Sequence, residues 1–305
     1  MPFVPAICTQ CGAQLEVDNT KAAAICQYCG TPFIVEKAIN NYSVTNHINA
    51  QVVNICNGSN SNFEIVAGVL KKYNGSSVDI VIPEGVVAIA DEAFKDNGFL
   101  NSVRFPLSLK EIGYRAFSSC YSLKSIHIPD NVTYIGCEAF MFCSELKNVI
   151  LPKELKYVTQ GIFYYCTALE NINIPSPVKS IDANAFYNCK SLNNVQLSTS
   201  LEEINEGAFA GCHSLKSIII PENVTFIGAA GVKEHPRNFI LPFGGCNSLA
   251  EIEYPSNLSA DCFIGSAWYD NYKEDLSKRI CPACKTKLSF FGNKCKKCGK
   301  KYEIE

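Results

Sequence analysis

The stretch IHIPDNVTYIGCEAFMFCSELKN, residues 126–148, decides the fold, because its 23-residue pattern recurs along this 305-residue chain. Its phenylalanine belongs to a column with a constant spacing of 23 residues: Phe94, Phe117, Phe140, Phe163, Phe186 and Phe209. A cysteine follows three residues later in most copies: Cys120, Cys143, Cys166, Cys189 and Cys212. Units this short can bury their apolar side chains only against neighbouring units, so the periodicity predicts a stacked solenoid.

Each copy of the repeat predicts a strand, a turn and a short helical segment. The strand comes from apolar residues that point inward at alternate positions: Leu123, Ile126 and Ile128. Pro129 ends this strand, since proline cannot donate to a sheet ladder. The turn leads to a second inward pair, Val132 and Ile135, and then to a short helical turn at residues 139–143. Parallel strands about 4.8 Å apart should therefore form one side of the solenoid.

The ends of the array and one interruption depart from the repeat. Residues 63–83, FEIVAGVLKKYNGSSVDIVIP, predict an N-terminal capping hairpin that turns at Asn74-Gly75. The last partial copy, residues 252–272, ends in bulky side chains suited to sealing the core: Trp268, Tyr269 and Tyr272. The spacing from Cys212 to Cys246 is 34 residues, and the extra residues fall within 231–242. They predict a surface loop, either tolerated or functional.

Two segments carry a family resemblance: the unit IPDNVTYIGCEAFMFCSELKNV at 128–149 and the start FEIVAGVLKKYNGSSVDIVIPEGVVAIADEAF at 63–94. They resemble the leucine-rich repeats of the bacterial BspA-like class, and the likeness covers about residues 63–265. The resemblance implies a curved, right-handed leucine-rich-repeat solenoid with a parallel sheet on its concave side and short helical or 3₁₀ turns on the other. It also implies binding of proteins or glycans, often at cell surfaces.

Eight cysteines outside the array form two sets of paired C-x-x-C knuckles: Cys8, Cys11, Cys26 and Cys29, and then Cys281, Cys284, Cys295 and Cys298. Two sulfurs of one knuckle can reach one ion, and four thiolates suit a closed, tetrahedral structural Zn²⁺ site. Both modules resemble zinc ribbons, so we expect zinc ribbons at 1–37 and 278–305. Rubredoxin-like iron and redox-active dithiols stay open as alternatives. An Asn-rich connector, 38–62, separates the first module from the solenoid at 63–272.

The charge distribution and the cysteine pattern limit the cellular locations and the classes of partner that we expect. The net charge of −2 gives no global attraction to nucleic acid. The segment 273–305 is locally basic, with ten Lys/Arg against four Asp/Glu, so nucleic acid could bind through 278–301. We find no export signal or apolar span, and the cysteine pattern favours metal ligation over disulfides, so we expect a cytoplasmic location and no membrane contact.

Two surfaces could bind a partner. Strand positions that point outward are rich in amides and include His127, Asn173 and Gln196. Beside the repeated phenylalanine, three successive copies carry large side chains that could form a contiguous patch: Met141, Phe142, Tyr164, Tyr165 and Tyr187. The repeated cysteines are expected to be buried packing groups with a weak S–H donor.

No set of residues predicts catalysis. The four histidines occupy unrelated phases of the repeat, and no phosphate-binding loop, HExxH or GxSxG motif is present. We therefore expect a non-catalytic scaffold for protein–protein interaction. The alternatives are a cell-surface adhesin and a nucleic-acid-associated protein that acts through the basic C-terminal module.

Overall fold

The computed structural model describes residues 3–7, 14–18, 23–25, 32–34, 62–228, 240–278 and 280–282. The N-terminal ranges form two antiparallel pairs, β1 (Phe3–Ile7) with β2 (Gln14–Asp18) and β3 (Ala23–Ile25) with β4 (Pro32–Ile34). The predicted connector lies outside the described residues, apart from Asn62.

The array begins with an antiparallel hairpin of β5 (Phe63–Val66) and β6 (Val69–Tyr73). Its turn is Ala67-Gly68, where φ is 50° and 77°. Two-residue hairpin turns favour such positive φ values, and glycine adopts them without steric cost. The prediction of a turn at Asn74-Gly75 is therefore wrong. After Tyr73 the chain enters the first coil.

Each coil contributes one short strand to each of two parallel sheets. The first sheet contains β7 (Asp79–Val81), β9 (Ser102–Arg104), β11 (Ser125–His127), β13 (Asn148–Ile150), β15 (Asn171–Asn173), β17 (Asn194–Gln196), β19 (Ser217–Ile219) and β21 (Glu251–Glu253). The second contains β8 (Ala88–Ile89), β10 (Glu111–Ile112), β12 (Tyr134–Ile135), β14 (Tyr157–Val158), β16 (Ser180–Ile181), β18 (Glu203–Asn205) and β20 (Phe226–Gly228). The ladder of the first is interrupted between β9 and β11 and between β17 and β19, and that of the second between β12 and β14; the hairpin strand β6 pairs with β8.

Neighbouring strands pair with equivalent repeat positions opposite each other. Asn171 lies opposite both Asn148 and Asn194, and Ser180 lies opposite Tyr157. The prediction of a solenoid built on parallel strands is confirmed. The predicted inward pair Val132 and Ile135 is also buried, and Ile135 belongs to a strand of the second sheet that the sequence did not reveal.

A stack of phenylalanine rings forms the centre of the core. Successive rings lie 4.7–5.7 Å apart with interplanar angles of 7–20°, an arrangement that runs through Phe94, Phe117, Phe140, Phe163, Phe186, Phe209 and Phe243. Phe209 still stacks on Phe243 at 5.5 Å, so the longer copy rejoins the phase of the array. The extra residues correspond to 229–239, outside the described residues, and their role stays a prediction.

The cysteine column lies beside this stack and is fully buried. Each thiol donates to the carbonyl oxygen of the repeated phenylalanine in the preceding coil, with S···O distances of 3.1–3.3 Å, for Cys120, Cys143, Cys166, Cys189, Cys212 and Cys246. All six are free thiols, which confirms the predicted packing role. Burial raises the pKa of Cys120 and Cys246 to about 12.

The segment after the second sheet is a turn with left-handed residues, so the predicted helical turn is only partly right. Bonds between residues three apart are present, such as Met141 N–H to the Glu138 carbonyl at 3.0 Å. Positive φ at Glu138 (57°) and Phe142 (61°) prevents a helix, however. The N–H groups of Glu138, Phe140 and Phe142 instead donate to carbonyls of the next coil at 2.8–3.0 Å. These bonds join coil to coil.

The C-terminal end of the described array is closed by two short helices. A 3₁₀ helix spans Ala260–Phe263, and α1 spans Ala267–Ser277, with the Ser266 hydroxyl accepting the Tyr269 N–H at its start. Phe263 is buried with its ring 5.3 Å from that of Phe243. Trp268 packs edge-on against Phe263 at 5.5 Å. The bulky C-terminal residues thus cover the core, as predicted.

Candidate functional site

Four of the five large side chains predicted beside the repeated phenylalanine form one network of ring contacts: Phe142, Tyr164, Tyr165 and Tyr187. Together with Met141, which precedes Phe142 in the chain, we call them the turn-side cluster. The Tyr164 ring lies 4.9 Å from those of both Tyr165 and Tyr187, and it is nearly parallel to that of Tyr187. Phe142 contacts Tyr164 edge-on at 5.8 Å and Tyr165 at 5.4 Å. All five side chains are half-buried. The structure therefore brings together the residues that the sequence placed in three successive coils.

The backbone beneath two of these rings is left-handed. Phe142 has a φ of 61° and Tyr165 a φ of 59°. The same position is also left-handed in the other coils, where it holds Asp96, Ser119, Asn188, Gly211 and Gly245. Bulky residues rarely adopt this conformation, and it costs about 1–2 kcal/mol relative to glycine. Aromatic residues held there suggest a role beyond folding, because strained positions concentrate at functional sites.

The equivalent positions in the coils next to the turn-side cluster are uncharged. The equivalent positions are Ser118 and Ser119 on one side and Asn188, Ala210 and Gly211 on the other. Burial raises the pKa of the Tyr164 hydroxyl, so this group stays neutral at physiological pH. An aromatic patch depleted of charge and bordered by Ser, Asn and Gly has the composition of protein-recognition surfaces.

An ion pair marks the edge of the turn-side cluster. The Arg115 guanidinium donates to Glu138, and this hydrogen bond raises the pKa of Arg115. The same guanidinium lies 4.8 Å from the centre of the Tyr114 ring, a cation–π contact. The charges of Arg115 and Glu138 therefore neutralise each other at the edge of the cluster.

The outward side chains of the first sheet form a second surface, the strand face. His127, Asn173 and Gln196 are all exposed on it, and Asn173 pairs in register with Gln196. His127 is separated from Asn173 by the intervening strand β13, whose Ile150 is 56% exposed. The structure therefore brings the two amides together but not the histidine.

A pair of exposed tyrosines on the second sheet was missed by the sequence reasoning. Tyr134 is 49% and Tyr157 is 53% exposed, and they occupy equivalent positions in successive coils. Each directly precedes a buried strand residue, Ile135 or Val158. That alternation was a usable signal, but it became visible only once residues 134–135 were recognised as a strand.

The predicted metal ligands fall almost entirely outside the described residues. Of the eight cysteines only Cys281 is described, and it is buried. Within the ranges that the structure describes, no three His, Cys, Asp or Glu side chains cluster to hold a metal ion. Most basic residues of 278–301 also lie outside them, so nucleic-acid binding there stays a prediction.

The described helices include none with the length and apolar character needed to cross a bilayer. Of the two described histidines, His213 donates from Nδ1 to the Gly245 carbonyl oxygen at 2.8 Å, and His127 lies on the sheet surface of β11. The two occupy different surfaces and share no hydrogen-bond partner within residues 62–228 and 240–278.

Three solved structures are similar to this chain. A leucine-rich cell surface protein from Faecalibacterium prausnitzii is 34% identical with a TM-score of 0.51, covering 60% of this chain and 49% of that one. The leucine-rich repeat protein of T. pallidum is 30% identical with a TM-score of 0.52, covering 59% and 82%. A leucine-rich repeat protein from Eubacterium ventriosum shares the fold at 24% identity, with a TM-score of 0.53 and coverage of 64% and 49%.

This chain thus spans about half the length of the Faecalibacterium protein. No curated protein shows significant sequence similarity to it. The BspA type leucine-rich repeat region matches residues 71–193 and 156–234, which together make up more than half of the chain. With the register of the coils and the buried phenylalanine column, that match establishes that the chain belongs to the BspA type leucine-rich repeat family.

Proposed function

We propose that this chain is a non-catalytic protein-interaction scaffold and that the turn-side cluster is its principal contact surface. The observation that carries the proposal is the pair of aromatic side chains, Phe142 and Tyr165, at a left-handed position that the other coils fill with Asp, Ser, Asn or Gly. The fold itself is compatible with glycine there, so the rings are best explained by an external contact. Their large area and few rotatable bonds suit such a role.

The packing of the cluster favours a macromolecule over a small ligand. Its rings contact one another at 4.9–5.8 Å, which leaves no space between them for a bound molecule. Small-molecule sites are concave and surround most of their ligand. A surface of packed rings with an uncharged border instead resembles the centre of a protein interface.

Affinity capture with the full chain tests this proposal. Tyr164→Ser with Tyr165→Ser should abolish capture of a partner that the unchanged chain retains from lysate. Tyr121→Ser is the matched control, since it removes a tyrosine that is 50% exposed in another part of the repeat. Equal partner recovery with both variants, at equal folded content by circular dichroism, would refute a role for the cluster.

A cytoplasmic location is part of the leading proposal. The six buried free thiols and the C-x-x-C pairs suit a reducing compartment, where disulfides are rare. The second candidate is a cell-surface adhesin, which is favoured by likeness to the cell surface protein of Faecalibacterium prausnitzii. Protease treatment of intact cells separates the two: a surface protein is degraded, and a cytoplasmic one survives until lysis.

We also propose structural zinc ribbons at both ends. The segment with Cys8 and Cys11 joins the paired strands β1 and β2, and the segment with Cys26 and Cys29 joins β3 and β4. Knuckles between antiparallel strands are where such modules hold their ion, and four soft thiolate donors fit Zn²⁺. We expect about two zinc ions per chain by elemental analysis. Iron in their place would instead give visible absorption.

A further inference from the structure

Charged side chains are segregated along the strand face. Toward its N-terminal end lie Arg104, Lys124 and Lys147, all exposed, together with His127. Lys124 is close enough to Asp79 on this face to help lower the pKa of that carboxyl, after hydrogen bonds from Ser102 and Asn101. At the opposite end, Glu251 and Glu253 are the outward residues of the last strand, β21. The half of the face from β7 to β13 is therefore net positive, and the half from β15 to β21 is net negative.

Uncharged side chains separate the two ends. The outward residues of β15 and β17 are all amides: Asn171, Asn173, Asn194 and Gln196. Two isoleucines flank them, Ile150 on β13 and Ile219 on β19, the latter 64% exposed. Three charges run against the overall pattern. Ser102 Oγ and Asn101 Nδ2 donate to Asp79 at 2.6 and 3.2 Å, and Glu170 and Lys216 occupy the same position before a strand as Lys124 and Lys147.

Apart from Asp79 and its donors Ser102 and Asn101, the charged and amide side chains of the strand face are unpaired within the described ranges. Elsewhere ion pairs bridge successive coils, as in Lys153–Asp130 at 2.7 Å and Lys179–Glu202 at 2.8 Å. Neither Arg104, Lys124, Lys147 nor the two β21 glutamates form such a pair in residues 62–228 and 240–278. The four amides likewise make no side-chain hydrogen bond there. These groups are free to engage a partner.

We propose that the strand face binds an extended polypeptide segment with carboxylates at one end and Lys or Arg at the other. Its acidic end would lie over β9–β13 and its basic end over β21. Side-chain amides both donate and accept, so they match the free N–H and C=O groups of an extended backbone. A helical segment has no such groups to offer, because its own turns use them.

The dimensions set the length of this segment. Six strand spacings of about 4.8 Å separate β9 from β21, which gives about 29 Å. An extended chain advances about 3.3 Å per residue, so about nine residues span the face. Complementary charge at both ends fixes the direction of the bound segment, because reversing it would place like charges together. This proposal goes beyond the turn-side cluster, which lies on a different side of each coil.

Fluorescence anisotropy with labelled peptides of about nine residues tests the proposal on the full chain. The bipolar probe has an acidic third, a Ser/Ala middle and a basic third; the comparison probes are all-acidic, all-basic and all-neutral. We expect the bipolar peptide to bind about tenfold more tightly than each other probe, with the preference weakened by salt. Equal binding of the bipolar and all-acidic probes, or no binding of any probe, would overturn the proposal.

Charge reversal at one end sharpens this test. Glu251→Lys with Glu253→Lys makes both ends cationic, so the bipolar probe should lose about tenfold in affinity and the all-acidic probe should gain. The matched control, Glu111→Lys with Glu203→Lys, makes the same charge change at two exposed residues of the second sheet and should alter neither. If both double variants changed the affinity of the bipolar probe equally, the binding would reflect the net charge of the protein, and the proposal of a polarised face would be refuted. Arg104→Glu with Lys124→Glu should favour the all-basic probe, and this independent variant decides the outcome if the first pair fails to fold.

Tyr164→Ser with Tyr165→Ser separates this proposal from the turn-side cluster. We expect that variant to bind the bipolar probe as the unchanged chain does. Loss of probe binding in it would assign the peptide to the cluster and contradict the strand-face assignment.

Discussion

Two sets of aromatic rings lie in the same coils, one inside the solenoid and one on its turn side. Inside, Phe140, Phe163 and Phe186 are fully buried and belong to a stack that continues through every copy. Outside, the turn-side cluster is half-buried and confined to three coils. The inner rings occur wherever the fold occurs, whereas glycine replaces an outer residue in later coils. Packing therefore accounts for the first set, and we propose an external contact for the second.

The buried cysteine column should make the free energy of unfolding depend on pH, and this is the largest effect that we expect. The buried thiols have pKa values raised above the ordinary value of about 9, chiefly by burial. They stay protonated in the fold but ionise once the chain unfolds, so stability that is full below about pH 9 is lost between about pH 9 and 12. At pH 10 the loss should be roughly 1–2 kcal/mol for each thiol.

Denaturant midpoints at pH 7 and pH 10, under reducing conditions, measure this loss. Cys143→Ala with Cys166→Ala removes two of the titrating groups and should reduce the difference between the two pH values. An unchanged difference in that variant would show that the thiols do not cause it.

Truncation of an inner ring should have the next largest effect. Phe163→Ala removes a fully buried ring between two stacking partners and should cost about 3–5 kcal/mol of unfolding free energy. Tyr187→Ala in the outer set should cost clearly less, because that side chain is half-buried. Urea unfolding compares the two variants, and equal losses would erase the distinction between inside and outside.

Gly207→Ala tests how strictly the backbone beneath the turn side is specified. An added Cβ at Gly207 would lie 2.2 Å from Asn184 Oδ1, and φ there is +62°. We expect a loss of about 2 kcal/mol from the clash and the left-handed conformation together. Gly85→Ala is the control, since its φ is +89° but no atom lies within 4 Å of an added Cβ. Equal thermal shifts in the two variants would exclude the clash.

Tyr165→Gly should have the smallest effect on stability. The variant loses ring contacts but relieves the positive φ, so the two effects should offset to within about 1 kcal/mol. Partner capture should nevertheless be lost, as with the serine variants. Thermal unfolding and capture on the same preparation check both halves, and a large destabilisation would mean that the fold does require this ring.

The interior was predictable from the sequence because its residues obey one period. Spacing alone identified Phe140 and Cys143 as buried, since a position that repeats every 23 residues meets itself in the next coil. The cluster was predictable for the same reason. Tyr164 and Tyr187 stand one repeat apart, so their rings had to be neighbours.

Local backbone conformation was harder to predict, because different structures share the same local signals. Asn74-Gly75 is a stronger two-residue turn signal than Ala67-Gly68. The chain nevertheless turns at Ala67-Gly68, because β6, which follows it, pairs with both β5 and β8. The A-F-x-x-C spacing suits both a helix and a turn with bonds between residues three apart. Only the positive φ values of Glu138 and Phe142 distinguish the turn from a helix.

The coil-to-coil bonds of the turn side have an evolutionary consequence. Each coil donates its N–H groups toward the C-terminal neighbour, and the series closes where the Gly245 N–H reaches the Gly265 carbonyl at 2.8 Å. Duplication or loss of one whole unit within the array recreates the same junction, whereas a change in the final unit removes the closing acceptor. Such an array can grow or shrink by internal recombination, gaining about 4.8 Å of strand face per unit. Its reach can thus evolve while its two ends are conserved.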